Sequence, residues 1–138
     1  MSALRAWARR VFGHPSGGAR SEVNRRLMNR AAHSEEQWYD AHFKAAGVSA
    51  DVARTVFRCL AGYSGIDFGR VLPDDRLAQD LRFDDVCWRD WEIDFVSDLR
   101  EQLGLDLMAD PGLKREVERA DTIGGLVRAL SRAADARK

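Results

Sequence analysis

The chain has 138 residues, of which 45% are hydrophobic and 32% charged, a composition that suits one globular domain and excludes wholesale disorder. Its 22 basic and 22 acidic residues cancel, and no apolar run approaches the roughly 18 residues that a membrane span needs. Two cysteines are too few for a disulfide framework, so we expect reduced thiols and a cytoplasmic location.

The balanced net charge conceals an uneven distribution along the chain. Residues 1–33 contain seven arginines and a single acidic residue, Glu22, whereas residues 34–138 contain 15 basic and 21 acidic residues. A charge asymmetry of this kind is typical of a basic arm attached to an acidic domain. We therefore predict a basic, partly helical extension over residues 1–47 and a helical domain over residues 48–138.

Near the start of this extension, residues 3–12 place Leu4, Trp7 and Val11 at helical spacing among arginines, which predicts a short basic helix. One interpretation is a solvated tail. Another is weak contact of residues 1–12 with an anionic membrane surface, because an amphipathic basic helix binds such surfaces. Nucleic-acid binding is not expected, since the acidic remainder of the chain would repel phosphates.

Local signals predict where four further helices begin. Each start is marked by a side chain that can accept hydrogen bonds from the free amides of the first turn. At the first of these positions a glutamine three residues later completes a capping box. The four predicted N-caps are Ser34 (with Gln37), Ser49, Asp110 and Thr122. A long loop over residues 63–83 is expected to be anchored by Leu72, Leu77 and Leu81.

The longest predicted helix runs from about Asp85 to Leu103 and ends at Gly104, a favoured C-cap residue. Large apolar side chains recur in it every three or four residues, which predicts a buried stripe along one face. The stripe consists of Trp88, Trp91, Phe95, Leu99 and Leu103. No alternating apolar run supports a β-sheet, so the predicted fold class is all-α.

The order of these elements over residues 48–132 resembles that of an acyl carrier protein: helix, long loop, acidic helix, short helix and final helix. The most specific matching pieces are Leu72-Pro73-Asp74-Asp75, Asp80-Leu81, Gly104-Leu105-Asp106-Leu107 and Thr122-Ile123. The resemblance implies an acyl-carrier-like four-helix bundle with an N-terminal helical extension. Among carriers, the chain is similar to divergent carrier-like proteins of unknown function in bacteria.

Carrier proteins attach a phosphopantetheine arm to the serine of an Asp-Ser-Leu triplet at the start of the second helix. The corresponding triplet here is Asp84-Asp85-Val86, and Arg82 stands where the family usually has glycine. A carboxylate cannot accept the arm, so the resemblance implies a vacant attachment position at Asp85 and no cofactor. Asp85 also suits the N-cap of the predicted helix. The alternative is a genuine carrier that uses an unusual site, for which the Cys87 thiol is a candidate.

The acidic second helix of a carrier docks basic patches of partner enzymes. The resemblance therefore implies a partner-binding surface made of Asp84, Asp85, Asp90, Asp94, Asp98 and Glu101. A solvated helix face is the alternative interpretation of the same charges. The sequence contains no metal-ligand spacing, no Gly-x-Ser-x-Gly elbow and no glycine-rich phosphate loop, so we predict neither catalytic residues nor a metal site. A non-catalytic protein that binds a basic partner is the predicted function; a membrane- or nucleic-acid-associated regulator that acts through the basic arm is a further alternative.

Overall fold

The computed structural model describes residues 15–137, with side chains described from Gly18 onward. Within this range the chain is all-helical and forms no β-strand, so the predicted all-α class is confirmed for it. A short 3-10 helix lies at Phe68–Arg70. The seven α-helices are α1 (Pro15–Leu27), α2 (Glu35–His42), α3 (Ala50–Ser64), α4 (Phe83–Val86), α5 (Trp91–Leu103), α6 (Pro111–Arg119) and α7 (Ile123–Ala136).

Helices α1 and α2 bury apolar side chains in the same cluster as the rest of the described chain. Val23 and Leu27 lie one helical turn apart on α1 and are buried, and Trp38 on α2 is completely buried. The predicted capping box of α2 is present, with Ser34 and Gln37 each accepting from the other's backbone amide. The boundary at residue 47 stays a prediction, but residues on both sides of it share one hydrophobic core. The helix predicted over residues 3–12 lies outside the described residues.

Helix α3 is the central element of the core and packs against α2, α5 and α7. It begins after Ser49, as predicted, because the serine hydroxyl accepts a hydrogen bond from the amide of Val52. The helix ends at Gly65 rather than at Gly62, since Gly65 has the left-handed φ of 67° that closes a helix. The amide of Ser49 also donates to the Ser131 hydroxyl at 2.9 Å, which joins the start of α3 to α7.

The long helix predicted from Asp85 to Leu103 is two helices, so this prediction is wrong. Residues 87–90 leave the helical path between α4 and α5. The amide of Trp88 donates to the carbonyl of Tyr63 on α3 at 3.2 Å, and Asp90 adopts a left-handed φ of 64°. The helix breaks because this backbone bonds to a neighbouring helix instead of to its own preceding turn.

The predicted core positions divide into confirmed and incorrect ones. Phe95, Leu99 and Leu81 are buried as predicted, and Leu77 packs partly buried against the core. Leu72 and Trp88 are exposed, at 39% and 50%, so their predicted burial is wrong. The remaining caps are confirmed, namely those at Gly104, Asp110 and Thr122. Among the described helices, none combines the length and the apolar character needed to cross a membrane.

Candidate docking surface

The position that corresponds to the carrier serine lies on α4, a helix of four residues. Asp85 is the third residue of this helix, so the prediction that it is an N-cap is wrong. The N-cap position belongs to Arg82, which makes no side-chain capping bond. The Arg82 guanidinium instead pairs with the Asp85 carboxylate, at 3.3 Å between Nε and Oδ2. Asp85 is thus held by an arginine and not by the amides of the first turn.

Arg82 has a left-handed backbone conformation with φ 52°. Glycine reaches this region without steric cost, whereas a residue with a Cβ is disfavoured there. Residue 82, which the predicted resemblance aligns with the glycine of carriers, thus has a backbone shape that suits glycine. The arginine side chain is held in place by Asp85 and by an ion pair with Glu22 of α1.

Helix α1 covers α4 from one side. The Arg20 guanidinium donates from Nε to the Ser64 carbonyl at 2.8 Å and from Nη2 to the Val86 carbonyl at 3.4 Å. Together with the ion pair between Glu22 and Arg82, these bonds hold α1 against the end of α3 and against α4. The chain's own N-terminal segment thus packs beside the Asp85 position, whose side chain remains 48% exposed.

Neither cysteine presents its thiol at the surface. Cys87 is 3% exposed and Cys59 is 6% exposed, and no disulfide joins them. Burial raises the pKa of the Cys59 thiol, so this thiol stays protonated at neutral pH. The burial of Cys87 does not favour its use as an acyl attachment site.

Trp88 is a half-exposed aromatic residue whose ring is nevertheless fixed in place. Its indole N–H donates to the Asp94 carboxylate at 3.0 Å. Its ring packs against Tyr63, with 5.5 Å between the ring centroids. Because its contacts with Asp94 and Tyr63 already fix the ring, Trp88 can contact a partner with little loss of side-chain entropy. Tryptophan is also enriched at interface hot spots. Trp88 is therefore the strongest contact candidate in this region.

The six predicted partner-binding carboxylates do not form one continuous face. Asp90, Asp94 and Glu101 are exposed, whereas Asp84 and Asp85 are half-buried on α4. We define the Trp88 surface as Trp88 with the exposed carboxylates of Asp90 and Asp94, because Glu101 lies near the opposite end of α5. The sixth carboxylate, Asp98, has a different environment.

Asp98 is half-buried and bonds to α3, which corrects the prediction that it lies on the outer face with the other carboxylates. The Tyr63 hydroxyl donates to the Asp98 carboxylate, and the Cys59 sulfur lies 3.8 Å from the same oxygen. Burial, reinforced by the bond to Asp98, raises the pKa of Tyr63, so its hydroxyl remains a hydrogen-bond donor. The anionic face of α5 is narrower than predicted because α5 packs on α3 along the side that carries Asp98.

An apolar groove of about 360 Å³ opens on another side of α5, and the sequence did not predict it. Its wall comes from five separate stretches of the chain, namely residue 77, residues 91–96, residues 107 and 108, residues 114–120 and residue 126, so no single local pattern marks it. The main apolar lining is Trp91, Phe95, Val96, Leu107, Met108, Val117 and Leu126, and the charged residues beside it are Glu92, Lys114 and Glu118.

Metal binding finds no support in the described range, where no group of three or more His, Cys, Asp or Glu side chains is placed to hold an ion. A search of known protein families, of curated proteins and of solved structures finds no match to the chain. The resemblance to acyl carriers therefore stays a prediction.

Proposed function

We propose that this chain is a non-catalytic, acyl-carrier-like protein that docks a basic patch of a partner protein through the Trp88 surface. In this proposal α3, α5, α6 and α7 are the four helices of the carrier-like bundle, and the protein acts in the cytoplasm without a phosphopantetheine arm. The observation that carries the proposal is the fixed, half-exposed ring of Trp88 beside the Asp94 carboxylate. The left-handed Arg82 at the family's glycine position supports the likeness to carriers.

The chemistry of the Trp88 surface suits an arginine or lysine side chain of the partner. A guanidinium stacks on an indole face through cation–π attraction and pairs with carboxylates in the same contact. The exposed Asp90 and Asp94 would also speed encounter with a basic patch, an effect that salt screens. The proposal thus predicts a partner whose binding weakens as the ionic strength rises.

The absence of the arm is tested by intact mass after incubation with coenzyme A and a broad-specificity phosphopantetheinyl transferase. The wild-type mass should not change, because Asp85 offers no hydroxyl. The matched variant is Asp85→Ser, in which a gain of the arm's mass would show that the carboxylate is what blocks the reaction. A gain on the wild-type chain would overturn this part of the proposal.

Partner docking is tested by recovering bound proteins with the immobilised chain and measuring association rates for those recovered. The double variant Asp90→Lys/Asp94→Lys should slow association, and Trp88→Ala should speed dissociation. Asp121→Lys, at an exposed carboxylate before α7, is the matched charge control and should leave both rates unchanged. Equal binding by all four chains would contradict the proposed surface.

A further inference from the structure

The apolar groove beside α5 has room for large side chains. Its volume of about 360 Å³ exceeds the roughly 150 Å³ of an engineered protein cavity that binds benzene. Met108 stands at its edge and is 71% exposed. An open apolar site of this kind is stabilised by an occupant that covers it, because apolar surface is then removed from water.

The charges beside the groove favour a cationic occupant. Two carboxylates, Glu92 and Glu118, line it together with one ammonium group, Lys114. A basic amphipathic helix satisfies both requirements, since its apolar stripe fills a groove while its cations meet the flanking carboxylates.

The chain itself contains such a segment. Residues 3–12 carry an apolar stripe at helical spacing, and three of the four positions between its members are arginines. The apolar residues of the stripe are Leu4, Trp7, Ala8 and Val11, and the basic residues are Arg5, Arg9 and Arg10.

A chain of contacts connects α1 to one wall of the groove. Arg20 of α1 bonds the Val86 carbonyl at the end of α4. On α4, the Phe83 ring packs against Trp91 with 5.5 Å between centroids, and Trp91 lines the groove. The fourteen residues before Pro15 span about 21 Å as a helix, which matches the about 20 Å length of α5.

We propose that residues 3–12 dock in the apolar groove of their own chain, with Leu4 and Trp7 in the groove and their arginines toward Glu92 and Glu118. The tether makes the contact intramolecular, and short linkers give effective concentrations of about a millimolar. Weak docking therefore suffices to occupy the groove. Docking buries the apolar stripe that would otherwise contact a membrane, and it leaves the Trp88 surface open. The proposal does not depend on the proposed function.

The experiment places a nitroxide spin label on the full chain through Ser2→Cys and records amide signals by NMR. The native thiols are buried, at 6% exposure for Cys59 and 3% for Cys87, so labelling is directed to the new site. We expect loss of amide signals around Trp91, Val96 and Val117, restored when the nitroxide is reduced. Unchanged signals there, or losses confined to other parts of the molecule, would overturn the proposal.

A matched pair of variants tests the position of the contact. Met108 and Ile93 are both exposed, at 71% and 68%, but only Met108 lines the groove. Met108→Lys should abolish the signal losses by repelling the basic segment, whereas Ile93→Lys should preserve them. Leu4→Ser/Trp7→Ser in the labelled chain should abolish them as well. Losses that survive Met108→Lys or Leu4→Ser/Trp7→Ser would contradict docking of the apolar stripe in this groove.

Two further measurements separate the proposed occupant from others. The first is a mixture of two chains: one is isotope-labelled and carries no nitroxide, and the other is unlabelled and carries the nitroxide. Signal losses in this mixture would show that a second copy occupies the groove and would overturn the intramolecular contact. With vesicles of phosphatidylserine and phosphatidylcholine, the wild-type chain should stay unbound, and Met108→Lys should bind because its stripe is released. Binding of the wild-type chain with unbroadened groove signals would assign residues 1–12 to the membrane and overturn the proposal.

Discussion

Two regions of this protein use their charges in different ways: residues 18–48 hold five basic and four acidic side chains, and residues 83–103 hold seven acidic and two basic ones. In the segment over residues 18–48, Arg20 and Arg30 donate to main-chain carbonyls and to a buried carboxylate elsewhere in the chain. In the region over residues 83–103, Asp90 and Asp94 remain exposed. The arginines of the first region therefore serve internal attachment, whereas two carboxylates of the second region face solvent. The net charge of a segment does not reveal which of these it does.

The internal attachment is clearest at Asp75, which is 6% exposed. Arg30 contacts its two carboxylate oxygens at 2.6 and 3.0 Å, and the amide of Leu72 donates to it at 2.8 Å. Close by, the Trp38 indole N–H donates to the Val71 carbonyl at 2.9 Å. A buried carboxylate requires such partners because its desolvation is costly. These bonds attach residues 18–48 to the loop that precedes α4.

The comparison is tested most strongly by the same substitution in both regions. Trp38 is completely buried among aromatic rings, so Trp38→Ala should lower the free energy of unfolding by about 3–5 kcal/mol. Trp88 is half exposed, and Trp88→Ala should cost less than about 1.5 kcal/mol. Chemical denaturation of the two variants measures both values. Similar losses would mean that the two regions are equally buried in solution.

A second pair of substitutions tests which side of α5 is buried. Leu99 is completely buried, and Leu99→Ala should cost about 2–5 kcal/mol. Ile93 is 68% exposed on the same helix, and Ile93→Ala should stay within about 0.5 kcal/mol of wild type. Denaturant midpoints of the two variants provide the measurement. If Leu99→Ala lowered the free energy of unfolding by less than about 1 kcal/mol, the face of α5 that carries Leu99 would not be the buried one.

The ion pair between Arg30 and the buried Asp75 should contribute more to the free energy of unfolding than an ion pair on the surface. Arg30→Met leaves Asp75 without its cation and should cost about 1–3 kcal/mol. Arg132→Met, which breaks an exposed pair with Glu116, should cost about 0–1 kcal/mol. A double-mutant cycle with Asp75→Asn isolates the Arg30 contribution. Equal costs at the two pairs would refute the distinction between internal and solvent-facing charges.

The smallest expected effect is a dependence of stability on pH through His42. Burial lowers the pKa of His42, and the nearby His33 lowers it further. The folded protein then binds this proton less readily than the unfolded chain, whose histidine pKa is about 6.5. The stability that neutral His42 contributes is fully present above about pH 6.5 and is lost as the pH falls below that value. His42→Gln should lessen the decrease in stability between pH 8 and pH 5; an unchanged decrease would remove His42 as a cause.

The predictions that succeeded depend on short-range chemistry. The N-caps at Ser49, Asp110 and Thr122 are confirmed because a cap needs only its own side chain and the next few amides. The burial of Phe95 and Leu99 follows from a helical period that continues through α5. The predicted role of the carboxylates as a docking site remains a prediction.

The predictions that failed depend on contacts between distant parts of the chain. Trp88 has the spacing of a core residue, but its amide bonds to Tyr63 and its indole turns toward Asp94, so the helix breaks before α5 begins. Asp98 has the spacing of an outward carboxylate, but Tyr63 lies against it. In both cases the partner Tyr63 is distant in sequence, and no periodic pattern within residues 83–103 could have indicated its contacts.

The contact between Arg20 and the Val86 carbonyl has a consequence for synthesis on the ribosome. Helix α1 leaves the ribosome first, yet its acceptor is made 66 residues later. A helix of 13 residues is marginally stable by itself in water, and α1 can pack against α4 only after residue 86 has emerged. Until then α1 has only its earlier partners, such as the Ser64 carbonyl. A nascent chain arrested before residue 86 should therefore be more sensitive to protease within α1 than one arrested after it.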